Sequence, residues 1–161
     1  MGADDPARRT DRPGPFVRPA GYVDPEPIVR RIGDRPLFLG NRHAADPDRQ
    51  DRTFEHVLSL TAEAQPLTTH HRPLVDGPGN DWASFERAVE TARRLYRRAE
   101  ATLVHCNAGI SRSTTILATT IAAEEGGSYR DAIAIVQAAR PHAVAHPALC
   151  ELSVTYLAAR T

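Results

Sequence analysis

One cysteine of the chain lies where a short apolar run gives way to a helix-like run. Ala101 to Val104 predict a β-strand, Thr114 to Ala123 predict a helix, and Cys106 lies in the loop between them. A loop that opens a helix presents unpaired backbone N–H groups and the positive end of the helix dipole to an anion. The same field favours a thiolate over a thiol, and the thiolate is the nucleophile. Cys106 is therefore predicted to be an attacking group.

The loop after the cysteine has the composition of an anion-binding cup. Arg112, six positions on, can return over the loop, and its planar guanidinium offers paired donors that fit two phosphate oxygens, as a lysine would not. Gly109 supplies a backbone that can turn with positive φ and direct N–H groups inward. The expected phosphate-binding residues are Asn107, Ala108, Gly109, Ile110, Ser111 and Arg112.

Two neighbours of the loop are expected to assist the cysteine. The hydroxyl of Ser113 can donate a hydrogen bond to the sulfur, which steadies the thiolate and eases its later departure from phosphorus. His105 is expected to orient the loop through hydrogen bonds, because a thiolate that is already formed needs no base. The alternative interpretation is a buried cysteine in an ordinary strand-loop-helix joint, and the joint presence of Cys, Gly, Arg and Ser argues against it.

The run from His105 to Ser113, HCNAGISRS, resembles the active-site loop of the cysteine-dependent protein phosphatases and is most similar to their dual-specificity branch. Weaker similarity at Phe38–Asn41, Val57–Leu60 and Pro73–Asp76 extends the resemblance over roughly Leu37 to Leu157. The resemblance implies a protein tyrosine phosphatase-like fold, a phosphocysteine intermediate and a phosphorylated protein as substrate. It also implies that no metal and no other cofactor is required.

A second catalytic group must protonate the leaving oxygen, and a carboxylic acid on a nearby loop can supply the proton. Two aspartates compete for this role. Asp76 follows an apolar strand in a Gly/Pro-rich loop, where active-site residues of α/β folds cluster. Asp81 is expected to start a helix instead. Asp76 precedes Cys106 by 30 residues, which is similar to the family's spacing between acid and nucleophile, so Asp76 is predicted to be the general acid.

Composition narrows the function further. Twenty arginines, with no lysine, balance twenty acidic residues, so no global field points to nucleic acid or to a membrane surface, and Schiff-base chemistry of lysine is excluded. Two cysteines without a CxxC pair or a His/Cys cluster argue against a zinc site or a disulfide framework and favour a cytoplasmic location. No apolar run has the length of a membrane span or the core of a signal peptide.

The remaining pattern predicts an α/β fold with a mixed sheet of four or five strands flanked by helices. Early strands are predicted at Leu37–Gly40, Val57–Leu60 and Arg72–Val75, the last broken at its start by a proline, and Asp46–Asp48 is predicted to be a helix start or a turn. Trp82, Phe85, Val89, Ala92 and Tyr96 mark the apolar face of a helix capped by Asn80 or Asp81. Later helices are expected up to Gly126–Gly127, from Ser128 to before Pro141, and from Pro147.

Two segments are expected along the chain. Residues 1–27 contain six prolines among charged residues and predict an irregular arm, because such a composition neither nucleates a helix nor fills a sheet. The arm is either a disordered tail or a strap laid over the domain by Phe16, Val17, Tyr22 and Val23. Residues 28–161 are predicted to form the phosphatase catalytic domain.

Other functions fit part of this pattern. A phosphoinositide or RNA 5′-phosphatase shares the loop, but such loops often carry extra basic residues. A rhodanese-like sulfurtransferase would need neither Asp76 nor Ser113, and a non-catalytic phosphoprotein-binding module would keep only the cup. The short connections leave few residues for deep walls, which predicts a shallow cup that accepts both phosphotyrosine and phosphoserine/threonine. The physiological substrate and the oligomeric state stay open.

Overall fold

The computed structural model describes residues 23–160. Their elements, in chain order, are β1 (Val29–Arg31), β2 (Leu37–Gly40), a 3₁₀ helix (Arg42–Ala45), β3 (His56–Ser59), β4 (His70–His71), α1 (Trp82–Arg97), β5 (Thr102–His105), α2 (Arg112–Glu125), α3 (Tyr129–Ala139) and α4 (Pro147–Ala158). This is the predicted α/β class, with five strands in one mixed sheet.

Strand β5 occupies the centre of the sheet. The strand order is β1-β2-β5-β3-β4, in which β1 is antiparallel to β2 and the other pairs are parallel. His105, the last residue of β5, is paired with Gly40 of β2 and with Ser59 of β3. The carboxyl ends of three strands therefore lie at one edge of the sheet, and Cys106 follows the central one of these strands.

Alternate side chains of the central strands enter two apolar clusters. Leu37 and Leu39 of β2 and Val104 of β5 pack toward the helices, whereas Phe38 and Leu103 face the opposite side. Successive side chains of a strand point to opposite faces, so a strand buried on both faces is apolar throughout. This explains the continuous runs LFL and LV in the sequence.

Helix α2 lies at the centre of the helical layer. Every residue from Ser113 to Ala122 is buried, and the helix contacts α1, α3 and α4. It ends at Gly126, which has a φ of 76° and so supplies the left-handed conformation that closes many helices. The prediction of a helix that is apolar nearly all round is confirmed, and its amino terminus opens from the loop of Cys106.

The predicted helix starts are also confirmed. Asp81 caps α1 by accepting a hydrogen bond from the backbone N–H of Ser84 at 2.7 Å. Ser128 caps α3 in the same way, and Pro147 is the first residue of α4. These caps are local interactions between residues close in the chain, which is why the sequence pattern could predict them.

The predicted strand at Arg72–Val75 is wrong. The strand there is His70–His71, and it ends before Pro73 because a proline has no N–H to continue the ladder. Leu74 still donates its N–H to the carbonyl of Leu60 at 3.1 Å, so the segment runs beside the end of β3 without forming a ladder.

Residues 47–49 form a turn, one of the two predicted possibilities, and the sequence pattern missed β1 and the 3₁₀ helix.

Most of the predicted arm, including Phe16, Val17 and Tyr22, lies outside the described residues. Its last part, residues 23–27, precedes β1 and is bonded to the end of β2, where the side chain of Asn41 donates to the carbonyl of Glu26 at 2.8 Å. The boundary between arm and domain stays a prediction. No helix within residues 23–160 is long and apolar enough to cross a membrane.

Candidate active site

Cys106 and Ser113 face each other across the loop between β5 and α2. The Sγ atom of Cys106 lies 3.3 Å from the Oγ atom of Ser113, and the cysteine is only 2% exposed. Ser113 lies in the first turn of α2, where orphan N–H groups and the helix dipole favour negative charge. A hydroxyl at this distance can donate to a thiolate and support it as a leaving group.

The loop packs against the end of β2 with no room for a side chain at Gly109. The φ of Gly109 is +67°, and a Cβ atom at this position would lie 3.0 Å from both atoms of the backbone carbonyl of Gly40. Both the conformation and the tight contact therefore favour glycine. Cys106 donates its N–H to the carbonyl of Gly40 at 3.3 Å, and Arg42 donates its N–H to the carbonyl of Asn107 at 3.1 Å, which holds this side of the loop.

Asn41 is a site residue that sequence reasoning missed, because the pair Gly-Asn indicates only a turn. Its buried side chain accepts from the N–H of Ile28 at 3.0 Å and of Ala44 at 3.2 Å, and it donates to the carbonyl of Glu26. Asn41 thus fixes the end of β2 on which the loop rests. Its partners Glu26 and Ile28 lie more than ten residues away in the sequence, and no local pattern links them to it.

Arg112 is anchored at one end of its guanidinium. Its Nη1 atom donates to the carbonyls of Leu60 at 3.2 Å and Leu74 at 3.0 Å. Its Nε atom is buried and has no hydrogen-bond partner among the residues that the structure describes. A buried donor without a partner is costly unless a ligand satisfies it, so the unsatisfied edge of Arg112 suits a phosphate oxygen.

His105 is buried below the cysteine and is electrically neutral near pH 7. Burial is the main cause that lowers the pKa of His105 to about 4, and the positive charge of Arg112 adds to it. Its Nε2 atom is hydrogen-bonded to the hydroxyl of Ser59, which in turn contacts the hydroxyl of Thr68 at 2.6 Å, and its Nδ1 atom lies 3.4 Å from the carbonyl of Cys106. These contacts fit an orienting role.

The two candidate acids are in different environments. Asp76 is exposed on a short loop that Asn80 closes: the amide of Asn80 accepts from the N–H of Val75 and donates to its carbonyl, both at 2.8 Å. Leu74, two residues before Asp76, is the residue whose carbonyl holds Arg112. Asp81 is used as the cap of α1, and the hydrogen bond from the N–H of Ser84 lowers the pKa of its carboxyl.

No residue set for a metal ion is found in the described part of the protein, where groups of three or more His, Cys, Asp and Glu side chains in suitable positions are lacking. The loop, Arg112 and the hydroxyl of Ser113 together have the groups expected of a site for a tetrahedral oxyanion beside the sulfur of Cys106. The roles assigned to the individual residues remain predictions.

Comparison with known proteins places these features in a family context. Residues 37–152 match the family described as dual specificity phosphatase, catalytic domain. The chain is 34% identical over 118 residues to human dual specificity protein phosphatase 15, an alignment that covers 69% of this chain and 40% of that protein. It is 29% identical over 111 residues to human dual specificity protein phosphatase 22, covering 65% and 60%. The chain thus spans about half the length of these two relatives.

Solved structures agree with the sequence matches. The crystal structure of DUSP15 is 28% identical, with a TM-score of 0.68 and coverage of 82% of this chain and 88% of that chain. The crystal structure of human DUSP28, at 23% identity, has a TM-score of 0.71 over 84% and 98% of the two chains, which shows a shared fold.

Proposed function

Because the chain belongs to the dual specificity phosphatase family, whose catalytic domain it matches over residues 37–152, we propose that it hydrolyses phosphotyrosine and phosphoserine/threonine on proteins through a phosphocysteine intermediate. One observation carries the proposal: Cys106 faces Ser113 at 3.3 Å on the loop whose Arg112 has a buried, unsatisfied Nε donor. The same loop therefore holds a nucleophile, a group that supports the departing sulfur and a donor for the phosphate.

In the first step the thiolate of Cys106 attacks phosphorus. A sulfur–phosphorus bond forms, the bond from phosphorus to the substrate oxygen breaks, and this oxygen takes a proton from the carboxyl group of Asp76. The inward N–H groups of the loop and the guanidinium of Arg112 stabilise the charge on the three remaining oxygens, which is where negative charge lies throughout the transfer.

In the second step water releases the phosphate. The carboxylate of Asp76 takes a proton from a water molecule, the water oxygen attacks phosphorus, and the sulfur–phosphorus bond breaks. The sulfur leaves as a thiolate, and a hydrogen bond from Ser113 makes this departure easier. His105 stays neutral and keeps the carbonyl of Cys106 in place.

The exposed position of Asp76 and the short loop around it support a shallow cup that accepts phosphoserine and phosphothreonine as well as phosphotyrosine. The neighbouring Val75 is 53% exposed and offers an apolar surface beside the acid. Aryl phosphates are expected to react faster, because phenoxide is a better leaving group than an alkoxide. The substrates are proposed to be phosphorylated cytoplasmic proteins, since neither the charge balance nor the composition favours nucleic acid or a membrane.

The experiment compares the full chain with Cys106→Ser on p-nitrophenyl phosphate and on matched phosphotyrosine and phosphoserine peptides. We expect turnover of all three substrates by the full chain and a loss on the order of 10⁴-fold or more in the variant, with phosphopeptide binding retained. Turnover by Cys106→Ser at the normal rate would exclude the cysteine mechanism.

A shorter protein that begins at Val23, and so lacks residues 1–22, tests whether this part of the arm limits substrate choice. This start keeps the residues whose carbonyls are bonded to Asn41 and Arg49. Strict phosphotyrosine specificity in both proteins would refute the shallow cup. Specificity that is lost only in the shorter protein would identify the arm as a pocket wall.

A further inference from the structure

The connection between α3 and α4, residues 140–146, lies against the outer side of the Cys106 loop. Arg140, which is only 6% exposed, donates from Nε to the carbonyl of Gly109 at 3.2 Å and from Nη2 to the carbonyl of Ala108 at 3.4 Å. One planar guanidinium thus binds two successive carbonyls of the loop, a geometry that a single ammonium does not reproduce.

Two further bonds continue this contact along the loop. Val144 donates its N–H to the carbonyl of Ile110 at 2.9 Å, and His146 donates its N–H to the hydroxyl of Ser111 at 2.9 Å. Four consecutive loop residues, 108–111, are therefore bonded to the connection, which we call the 140–146 clamp.

The clamp is itself fixed to the end of α3. Arg140 donates its N–H to the carbonyl of Val136 at 2.9 Å, and Ala143 donates its N–H to the carbonyl of Arg140 at 2.8 Å. The side chain of Gln137 donates to the carbonyl of Ala143 at 3.0 Å, and Ala143 is buried. The backbone of Arg140 is thus fixed by hydrogen bonds through both its N–H and its carbonyl.

Because peptide bonds are planar, the bonds to the clamp also orient the N–H groups of the anion site. In a planar trans peptide the carbonyl of one residue and the N–H of the next point in opposite directions. Carbonyls 108, 109 and 110 are turned outward by their bonds to the clamp, so the N–H groups of residues 109, 110 and 111 are turned to the inner side of the loop. Converging N–H groups are the donors that an oxyanion requires.

We propose that Arg140 is a positioning residue of the phosphate site: by binding the carbonyls of Ala108 and Gly109 it directs the N–H groups of the loop toward the phosphate. The inference rests on the proposed function for its role in turnover, but the anion-binding part stands on the loop geometry alone. Arg140 does not need to touch the substrate, because the loop transmits its effect.

The test compares Arg140→Lys with Arg130→Lys, which replaces an exposed arginine of α3, the helix that precedes the clamp. Arg140→Lys keeps the charge but loses the paired donors. We expect kcat/KM on p-nitrophenyl phosphate to fall about 10- to 100-fold, as for small misplacements of catalytic groups, and the inhibition constant of inorganic phosphate to rise at least about tenfold. Arg130→Lys is expected to change neither quantity.

A second measurement reports on anion binding without turnover. Inorganic phosphate should protect Cys106 from alkylation by iodoacetamide, followed by mass spectrometry of the Cys106 peptide so that Cys150 does not interfere. In Arg140→Lys this protection should require at least about tenfold more phosphate, at a temperature where thermal unfolding shows the variant to be folded. Unchanged protection in the folded variant, whatever its melting temperature, would overturn the proposal and assign Arg140 to stability alone.

Arg140→Gln, which keeps one amide donor, replaces the lysine variant if that variant does not fold, and failure of both to fold would also assign Arg140 to stability and overturn the proposal. The two inferences fail differently. A full chain without turnover, in which phosphate protection of Cys106 depends on Arg140, would refute the phosphatase proposal and keep the clamp. An active full chain with an unaffected Arg140→Lys variant would refute the clamp and keep the phosphatase.

Discussion

Two regions differ in the groups that their arginines bind: the loop edge of the sheet, which contains Arg112 and Arg140, and the helical face of the domain, which contains Arg93 and Arg97. At the loop edge, Arg112 and Arg140 donate to backbone carbonyls, which carry no net charge. On the helical face four arginines are bonded to carboxylates: Arg93 and Arg97 to Glu124, Arg35 to Glu125, and Arg160 to Glu86 and Glu90.

On the helical face the charge of Glu124 is balanced by arginines. Its side chain is only 10% exposed and lies 3.0 Å from Arg93. Burial opposes ionisation of this carboxyl, but hydrogen bonds from Arg97 and Arg93 outweigh it and hold the pKa of Glu124 below its ordinary value. Charge is thus cancelled within the fold.

The different partners of these arginines show that residue type alone does not determine the role of an arginine. All 20 basic residues are arginine and the net charge is zero, so each positive charge has a potential acidic partner in the sequence. An arginine bonded to uncharged carbonyls can offer its charge to an anion, as proposed for Arg112, whereas one bonded to a carboxylate stabilises the fold. Variants of the two regions should therefore separate activity from stability.

Conservative replacement of Arg112 should have the largest effect on kcat/KM. Arg112→Lys keeps the charge but loses the planar edge that carries the buried Nε donor, and we expect kcat/KM to fall about 100- to 1000-fold. Arg97→Lys on the helical face is the matched control and should leave kcat/KM unchanged within about twofold. Steady-state kinetics on p-nitrophenyl phosphate measures both. Similar losses in the two variants would remove the distinction between the regions.

Removing the proton donor should have the next largest effect. Asp76→Asn is expected to lower kcat/KM on a phosphoserine peptide about 100-fold. Asp81→Asn should leave kcat/KM unchanged, because asparagine also caps helices well. The effect of Asp76→Asn should be smaller on p-nitrophenyl phosphate, whose leaving group needs less help. If Asp81→Asn causes the large loss instead, Asp81 is the acid.

Protonation of His105 should make the free energy of unfolding depend on pH. In the unfolded state its imidazole takes up a proton near pH 6.5, and in the fold only near pH 4. Between these values the unfolded state binds more protons, so the free energy of unfolding falls as the pH is lowered. We expect His105 to contribute a loss of about 2 kcal/mol between pH 7 and pH 5.

Urea denaturation of the full chain and of His105→Gln at both pH values isolates this contribution, because glutamine keeps a hydrogen-bonding side chain but does not titrate. The protein with histidine should lose more stability than the variant over the same interval. Equal losses would show that the imidazole is already protonated in the fold, or that it does not titrate differently on unfolding.

The smallest effect is expected on the helical face. Glu124→Gln leaves Arg93 and Arg97 without their carboxylate and should lower the free energy of unfolding by about 1 to 2 kcal/mol, with kcat/KM unchanged. Glu100→Gln, in a more exposed pair with Arg98 and His56, should lower it less. Urea denaturation at pH 7 checks both variants. A loss of activity in Glu124→Gln would show that the two regions are coupled.

The errors of sequence-based prediction follow the range of the interactions involved. Helix caps at Asp81 and Ser128 join residues three apart, and their signals are local. The strand expected at Arg72–Val75 is displaced because its partner β3 and the proline together decide where the ladder stops. Asn41 and Arg140 escaped notice because their partners are distant in the sequence, 31 residues away for Arg140 and Gly109.

The sequence by itself determined the strand-loop-helix arrangement around Cys106, and predicted its chemistry, because strand, loop, arginine and helix start follow one another within a few residues and each signal is local. It determined equally that a cysteine, an arginine and a serine hydroxyl lie within eight residues of one another. Only the tertiary structure decided which arginines are bonded to uncharged carbonyls: Leu60 and Leu74, the partners of Arg112, lie 52 and 38 residues from it in the sequence. Hydrogen-bond partners at such separations are chosen by packing of the sheet and helices, which no local pattern encodes.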